Sequence, residues 1–242
     1  DNSGKLLESY FNIWAWILPR LTRSERGGQR ASPKPDAILK WAHHPIAILG
    51  GMWSALLDDW AKGDDQRPPV FILVAKNKRI AKTLFEWIGE DQRPAGVAPL
   101  NVRALRNAEG KVVTIRVDTG VVHETDSGNA KSDEGAWMRF TLDTVGRMTW
   151  PADAQGRPVY PDGFEALAAK LGRRLHPPGR DVRCIVSVGM LTEGWDCNTV
   201  THVVGLRPFQ SQLLCEQVVG RALRRRFYDL TDAGRFEEEV AK

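Results

Sequence analysis

The stretch that decides the fold runs from Val182 to Arg226 and reads VRCIVSVGMLTEGWDCNTVTHVVGLRPFQSQLLCEQVVGRALRRR. Its first part, Val182 to Val188, is short, apolar and rich in β-branched residues, which is typical of a strand buried on both faces of a parallel sheet. A polar turn follows from Leu191 to Asp196, and a second strand-like run covers Val200 to Leu206. The stretch therefore predicts two buried strands joined through a polar turn.

A helix is predicted next, over Gln210 to Arg226, after Pro208 breaks the chain. Three polar side chains share one face of it at the spacing i, i+4 and i+7: Gln217, Arg221 and Arg224. Gly220 lies between them and allows a ligand to approach the backbone. Because guanidinium groups bind phosphate oxygens bidentately, this face is suited to a phosphate group.

Two parts of the stretch resemble motifs of superfamily 2 helicases. Gln217-Val-Val-Gly220-Arg221-Ala-Leu-Arg224 resembles motif VI, Q-x-x-G-R-x-x-R. Met190-Leu-Thr-Glu193-Gly194-Trp195-Asp196 resembles motif V in the form found in type III restriction enzyme Res subunits and related DEAD/DEAH-type helicases. The residues alone leave open a simpler alternative, a basic helix on an ordinary α/β domain.

A third, looser resemblance lies upstream. The apolar run Val70 to Ala75 is followed by Lys76-Asn77-Lys78-Arg79 and then by a helix with Ile80, Leu84, Trp87 and Ile88 on one side. This strand, turn and helix resemble motif IV, although a generic β–α turn would read the same way. The resemblance as a whole implies an α/β fold of the RecA-like, P-loop NTPase type: a parallel sheet flanked by helices, with a helical N-terminal extension.

The resemblance also implies roles for the residues that match. Arg224 would act as the arginine finger on the γ-phosphate of ATP, with Arg221 beside it and Gln217 bonded near the same phosphate. Asp196 would meet the ribose side of the nucleotide, Glu193 would couple the two sites, and Gly194 and Gly220 would lie at the nucleotide. The alternative for Glu193 is a local cap or salt bridge.

Four residues would contact the nucleic-acid backbone: Lys76, Asn77, Ser187 and Thr192. Such contacts give affinity without reading base sequence. For Ser187 the alternative is a hydroxyl that only satisfies backbone groups. Trp195 is expected to be a core residue, the alternative being a base-stacking platform.

The sequence contains no G-x-x-x-x-G-K-[ST] loop, because Gly4-Lys5 and Gly110-Lys111 lack the upstream glycine and the following hydroxyl. Without that loop, backbone N–H groups do not cradle nucleotide phosphates. Asp133-Glu134 does not follow an apolar strand, so we interpret it as loop and not as the magnesium-binding box of helicases. ATP and Mg²⁺ are therefore expected to bind mainly to a first RecA-like domain elsewhere in a longer parent chain, and these 242 residues alone are expected to be inactive.

The predicted organisation has three parts: a helical extension or linker over 1–66, a second RecA-like domain over 67–228 with an elaborated middle at about 95–160, and a tail or the start of a further element over 229–242. Further elements are listed here: helices over 5–18, 36–42 and from Pro45 to Trp60, a mobile loop over 20–35, a strand over 112–117, loop over 118–132, and helices over 137–145 and 164–171, the last capped by Asp162.

No G-x-G-x-x-G occurs, so a Rossmann dinucleotide site has no support.

Composition limits the function classes. The net charge is +4 and the pI is about 9.1, which permits nucleic acid without requiring it. The three cysteines have no C-x-x-C spacing and the five histidines form no metal-like set, so we predict no metal site and a reducing, cytoplasmic setting. Tyr10 to Leu18 is too short to cross a bilayer, so no membrane partner is expected.

The sequence therefore predicts the C-terminal motor domain of an ATP-dependent superfamily 2 DNA helicase or translocase, resembling a type III restriction Res subunit. The expected partners are DNA, contacted through its backbone, the first RecA-like domain of the parent chain, and a modification or specificity subunit. The alternative is a nucleic-acid-binding RecA-like module without ATPase function. A nuclease domain has no support, since no Asp…Glu-x-Lys constellation falls on a pair of predicted strands.

Overall fold

The fold is built on a parallel sheet of four strands in the described part of the chain. The computed structural model describes residues 13–27, 32–63, 65–118, 132–188, 195 and 197–208. The strands are listed here in chain order: β1, Val70–Ala75; β2, Thr114–Val117; β3, Cys184–Val188; β4, Val200–Leu206. Their order in the sheet is β2-β3-β1-β4, and every pairing is parallel. The predicted α/β class with a parallel sheet is confirmed.

Strand β1 lies at the centre because it is apolar on both faces. All six of its residues are buried. Phe71, Leu73 and Ala75 belong to the larger core on one face, and Val70, Ile72 and Val74 belong to a second core on the other. A continuous apolar strand of this kind is stable only with a packed layer on each side.

The segment before the sheet supplies much of the larger core. It contains helix α1 (Ile13–Ile17), a 3₁₀ turn (Leu18–Arg20), helix α2 (Arg23–Arg26) and helix α3 (Pro35–Trp60). From α1 and α3, Trp14, Ile17, Ile38 and Trp53 are buried in one cluster with residues of β1 and β4. The described part of the predicted 5–18 helix, Ile13–Ile17, therefore packs against this chain's own sheet, and residues 5–12 of that prediction lie outside the described residues.

Helix α3 corrects the expectation of two helices separated near Pro45. One helix runs through Pro45 without interruption. The proline removes one backbone hydrogen bond and crowds the preceding turn. Ala42 and Ile46 are both fully buried on either side of it, so the packing of a single face against the core holds the helix together across the proline.

Helix α2 corrects the expected mobile loop at 20–35, of which 28–31 lie outside the described residues. A capping box starts this short helix: the Thr22 hydroxyl accepts from the Glu25 N–H, and the Glu25 carboxylate accepts from the Thr22 N–H at 2.8 Å. The T-x-x-E spacing is the usual signature of this arrangement, and the glycines and prolines around it concealed the signal.

Three further α-helices and a 3₁₀ turn (Arg103–Leu105) complete the described fold. Helix α4 (Lys78–Gly89) follows β1 as predicted and buries Ile80, Leu84, Trp87 and Ile88. Helices α5 (Asp133–Asp143) and α6 (Phe164–Lys170) meet in a small aromatic cluster around Phe164.

Two local predictions on α5 and α6 were wrong. Asp133 and Glu134 form the first turn of α5 and not a loop, because the Ser132 hydroxyl accepts from the Gly135 N–H and caps the helix. Carboxylates in a first turn are favoured by the helix dipole. Asp162 does not cap α6; the N-cap is Gly163, at a φ of 77°.

The remaining predictions on the fold have mixed outcomes. The strand predicted over 112–117 is confirmed in its Thr114–Val117 part. Most of the predicted 118–132 loop, and the predicted helix over 210–226, lie outside the described residues. Among the described helices, none is long and apolar enough to cross a membrane.

Candidate nucleic-acid interface at the carboxyl end of the sheet

Three adjacent strands, each followed along the sequence by one of the predicted motifs, end at the same edge of the sheet. β3, β1 and β4 are parallel neighbours, so the chain leaves all three at the same end. The backbone N–H of Lys76 donates to the carbonyl of Leu206 at 3.0 Å, which fixes the end of β1 beside the end of β4. In open parallel sheets, ligands bind outside the carboxyl ends of the strands where the strand order reverses.

Lys76 is the most accessible of the predicted contacts. It is exposed, and its Nζ lies 5.5 Å from the centroid of the Trp14 ring. A cation at this distance from an aromatic face is attracted to it, so the ring holds the ammonium group at the edge without neutralising it.

Asn77 has a structural task in the described fold. Its side-chain oxygen accepts from the Ile80 N–H at 3.0 Å and caps α4. Replacing such a cap by alanine usually costs about 1 kcal/mol. Its predicted contact with nucleic acid stays a prediction, and any effect of mutating it must be separated from loss of the cap.

Ser187 is enclosed by the sheet. It is 2% exposed and stands in register with Val74 of β1 and Val117 of β2. The described surface at this edge is therefore formed by Lys76 and its neighbours and not by the Ser187 hydroxyl. Its predicted role stays untested.

Trp195 is a core residue, as expected. It is 5% exposed, and its indole N–H donates to the carbonyl of Leu142 at 2.9 Å. Since both the ring and its donor are occupied inside the fold, the alternative of a base-stacking platform is excluded for this residue.

The other predicted residues lie outside the described residues. These are Thr192, Glu193, Gly194 and Asp196 of the motif V turn, and Gln217, Gly220, Arg221 and Arg224 of the motif VI helix. Their predicted roles in catalysis, nucleotide binding and nucleic-acid contact stay predictions.

Arg207 is a residue at this edge that the sequence reasoning did not single out. It follows β4 directly and is partly buried. Its Nε is enclosed and has no hydrogen-bond partner in the part of the chain that the structure describes. A buried donor without a partner is unfavourable, so Arg207 carries unsatisfied hydrogen-bonding capacity next to the backbone of Lys76. The signal was present in the sequence, as the first charged residue after a buried strand.

A pair of oppositely charged side chains lies where β2 ends. The Nε of Arg116 is 3.6 Å from Oδ1 of Asp118, and the Arg116 guanidinium lies 5.9 Å from the centroid of the Phe85 ring. The Asp118 oxygen accepts no hydrogen bond, so the contact between the two side chains is electrostatic at this distance.

The titratable groups inside the sheet are not suited to covalent chemistry. Burial raises the pKa of the Cys184 thiol to about 12, so this thiol is protonated at neutral pH and is a poor nucleophile. Burial lowers the pKa of His202, which keeps its imidazole neutral at pH 7. Among the described residues, no group of three His, Cys, Asp or Glu side chains is arranged to hold a metal ion.

Comparison of this chain with protein-family models, with curated proteins and with solved structures finds no match. The class that the structure itself defines is an α/β protein with a parallel four-stranded sheet flanked by helices.

Proposed function

We propose that this chain is the second RecA-like motor domain of an ATP-dependent superfamily 2 DNA translocase, similar to the Res subunits of type III restriction enzymes and working in the cytoplasm. In this proposal a first RecA-like domain of the parent chain binds most of the ATP and Mg²⁺, and a modification or specificity subunit is a further partner. The present chain supplies the arginine finger and part of the nucleic-acid contacts.

One observation carries the proposal. The sequences that resemble motifs IV, V and VI follow β1, β3 and β4, and these three strands are neighbours that end at one edge of the sheet. A chance set of motif-like sequences has no reason to follow three adjacent parallel strands. The hypothesis of a motor domain requires this arrangement, because motifs that act on one nucleotide and one nucleic-acid strand must lie close together.

In this reading each group has a limited task. Hydrolysis of bound ATP supplies the free energy for movement. Arg224, with Arg221 beside it, would stabilise the negative charge that develops at the γ-phosphate, and Gln217 would orient these side chains. Lys76 would bind the backbone of the nucleic acid, which gives grip at any base sequence.

The second candidate is a nucleic-acid-binding module without ATPase function. It is favoured by the same exposed cation at the edge, Lys76, and by the absence of a phosphate-cradling loop from the 242 residues. The two candidates differ in whether Arg224 and Arg221 affect hydrolysis in the parent protein.

The decisive experiment measures DNA-stimulated ATP hydrolysis by the parent protein. Arg224→Ala should lower the turnover number by about 10³-fold or more, because arginine fingers act on charge that develops in the transition state. Nucleotide affinity should fall much less. Arg225→Ala is the matched control, since it removes the same side chain one residue further along, where the predicted helix points about 100° away.

Equal hydrolysis by the parent protein with and without Arg224 and Arg221 would contradict the motor reading. A parent protein that binds DNA but has no ATPase activity would support the binding module instead. The 242-residue chain alone should show neither ATP hydrolysis nor tight ATP binding.

A further inference from the structure

Two tryptophans that belong to different helices meet at the surface near Lys76. Trp16 of α1 and Trp41 of α3 are partly buried, and their ring centroids are 6.0 Å apart in an edge-to-face contact at 84°. Arg20 and Lys40 flank them. We call Trp16, Arg20, Lys40 and Trp41 the tryptophan platform.

Each ring of the platform carries a cation. The Arg20 guanidinium lies 4.0 Å from the centroid of Trp16, and its Nη1 donates to the Trp16 carbonyl at 2.6 Å. The Nζ of Lys40 lies 5.8 Å from the centroid of Trp41. Arg20 is exposed, so its guanidinium group lies against Trp16 while remaining accessible to solvent.

Trp41 differs from the tryptophans that serve only the core. The indole N–H groups of four others donate to backbone carbonyls at 2.7 to 3.2 Å; these are Trp53, Trp87, Trp150 and Trp195. The Trp41 N–H has no hydrogen-bond partner among the described residues. A buried donor is normally satisfied, so within the described fold this donor, unlike the other four, is left without a hydrogen bond.

The platform lies at the same end of the sheet as Lys76. Trp53, in the second half of α3, donates to the carbonyl of Pro69 just before β1. Trp41, in its first half, contacts Trp16 of α1, and Trp14 of the same short helix lies beside Lys76 where β1 ends. The first half of α3 therefore lies toward the carboxyl ends of the strands. Trp14 and Trp16 are two residues apart and face different sides of α1, so Lys76 lies at the same end of the sheet but on another side of α1.

The charge around the platform is positive. Residues 13–27 and 32–41 contain five Lys and Arg side chains against two carboxylates, Glu25 and Asp36. Glu25 lies 3.9 Å from Lys40, but its carboxylate accepts hydrogen bonds from the N–H and the hydroxyl of Thr22, each at 2.8 Å. Its charge is thus used in capping α2, and an exposed ion pair at 3.9 Å contributes little.

We infer that the tryptophan platform binds single-stranded nucleic acid, with a base stacked on the Trp16–Arg20 and Trp41 surfaces and a phosphate paired with Lys40, while Lys76 contacts the backbone of the same strand further along. Aromatic faces interleaved with cations are what unpaired bases on a charged backbone require. A duplex would not offer its base faces to these rings. This inference rests on the proposed function only in taking the carboxyl end of the sheet as the side that meets nucleic acid.

The experiment measures binding of three fluorescein-labelled 12-mers to the 242-residue chain at low salt: oligo-dT, oligo-rU and an abasic deoxyribose-phosphate strand. Trp41→Leu and Arg20→Ala should each weaken oligo-dT binding about tenfold, since stacking on one side chain is worth that much or more. Binding to the abasic strand should not change with Trp41→Leu, because that strand has no base to stack. Lys76→Ala should weaken binding to both.

Two controls keep the result interpretable. Trp60→Leu alters a partly buried tryptophan at the opposite end of the same helix and should leave binding unchanged. Arg20 is exposed, so Arg20→Ala tests the platform even if Trp41→Leu lowers the melting temperature. Oligo-rU distinguishes RNA from DNA: equal affinity indicates that the 2′-hydroxyl is not read.

Wild-type oligo-dT affinity for both Trp41→Leu and Arg20→Ala would overturn the inference, and a simultaneous loss on Lys76→Ala would leave the nucleic-acid contact of the proposed function standing. A wild-type chain that binds none of the strands would overturn the inference as well. The motor proposal is judged separately, by the Arg224 and Arg221 variants of the parent protein.

Discussion

The two ends of the sheet differ in how their cations are bonded. At the amino end, the side chain of Arg67 connects the segments that lead into β1 and β4. At the carboxyl end of the same strands, the side chains of Lys76 and Arg207 make no hydrogen bond or ion pair within the described residues. Arg67 donates to Oδ1 of Asn198 at 2.9 Å and forms an ion pair with Asp65 at 2.7 Å. Its side chain is 22% exposed and that of Asp65 is 11% exposed.

The two ends of the sheet therefore use their charged side chains differently. Hydrogen bonding to Asp65 is the main cause that raises the pKa of Arg67, so at the amino end charge is used to stabilise the fold. At the carboxyl end, the described residues provide no such pairing for Lys76 and Arg207, and in the proposed function Lys76 binds the backbone of the nucleic acid instead. Substitutions at the amino end should therefore lower stability, and substitutions at the carboxyl end should lower binding.

The largest effect is expected at Trp53, which joins α3 to the amino end of β1. Its ring is fully buried, and its N–H donates to the Pro69 carbonyl at 3.2 Å. Trp53→Ala should lower the free energy of unfolding by about 3–5 kcal/mol, because it removes a large side chain and leaves a cavity. Chemical denaturation followed by circular dichroism measures this, and Trp60→Ala on the last turn of the same helix should cost clearly less. Equal losses of unfolding free energy for the two variants would mean that the Trp53 contact does not stabilise the amino end of the sheet more than an ordinary helix residue does.

A smaller loss is expected at Gly179, in the turn that leads into β3. A Cβ there would overlap the Thr141 carbonyl and the backbone of Thr144 and Val145, and the Gly179 N–H donates to the Thr144 hydroxyl at 2.9 Å. Gly179→Ala should therefore cost on the order of 1–3 kcal/mol in unfolding free energy.

The matched control for Gly179 is Gly51, which lies within α3 and has open space where a Cβ would stand. Gly51→Ala should raise the unfolding free energy by about 0.5–1 kcal/mol, because alanine loses less backbone entropy in a helix. The two changes should move the melting temperature in opposite directions. A neutral Gly179→Ala would show that this turn relaxes easily.

The smallest effect on stability is expected at the carboxyl end. Lys76→Ala should change the unfolding free energy by less than about 0.5 kcal/mol, since the side chain is exposed and within the described residues makes only a cation–aromatic contact. Binding of oligo-dT should nevertheless weaken several-fold and depend less steeply on salt concentration, because one phosphate contact is lost. Asn77→Ala is the informative contrast, since loss of the helix cap should lower stability there. A large stability loss for Lys76→Ala would remove the distinction between the two ends.

The central strands could be predicted from the sequence because they are locally specified. β1, β3 and β4 are continuous apolar runs with β-branched residues, and each lies within two residues of its predicted range. Helices were harder to predict from the sequence wherever tertiary packing overrides the local conformational preference of the residues. Pro45 suggested a break that the buried face of α3 does not allow, and Ser132 started a helix whose first turn reads as a polar loop.

The candidate site could be predicted only in part. Lys76 was found because the strand, turn and helix around it resemble motif IV, whereas Arg207 follows β4 in the same way but belongs to no motif of the resemblance. The strand order is non-local: β3 inserts between β1 and β2, although it comes last but one along the chain. The pairing of Trp16 with Trp41 likewise depends on how two helices cross, and no spacing within either helix indicates it.

The position of β1 also determines how the domain would carry force. β1 is bonded along its length to β3 on one side and to β4 on the other. A pull on Lys76 along the strand axis would load both ladders in shear, so many hydrogen bonds would have to fail together. A pull across the sheet would instead break them one at a time. Tension transmitted along β1 is thus resisted in the direction in which this sheet is strongest.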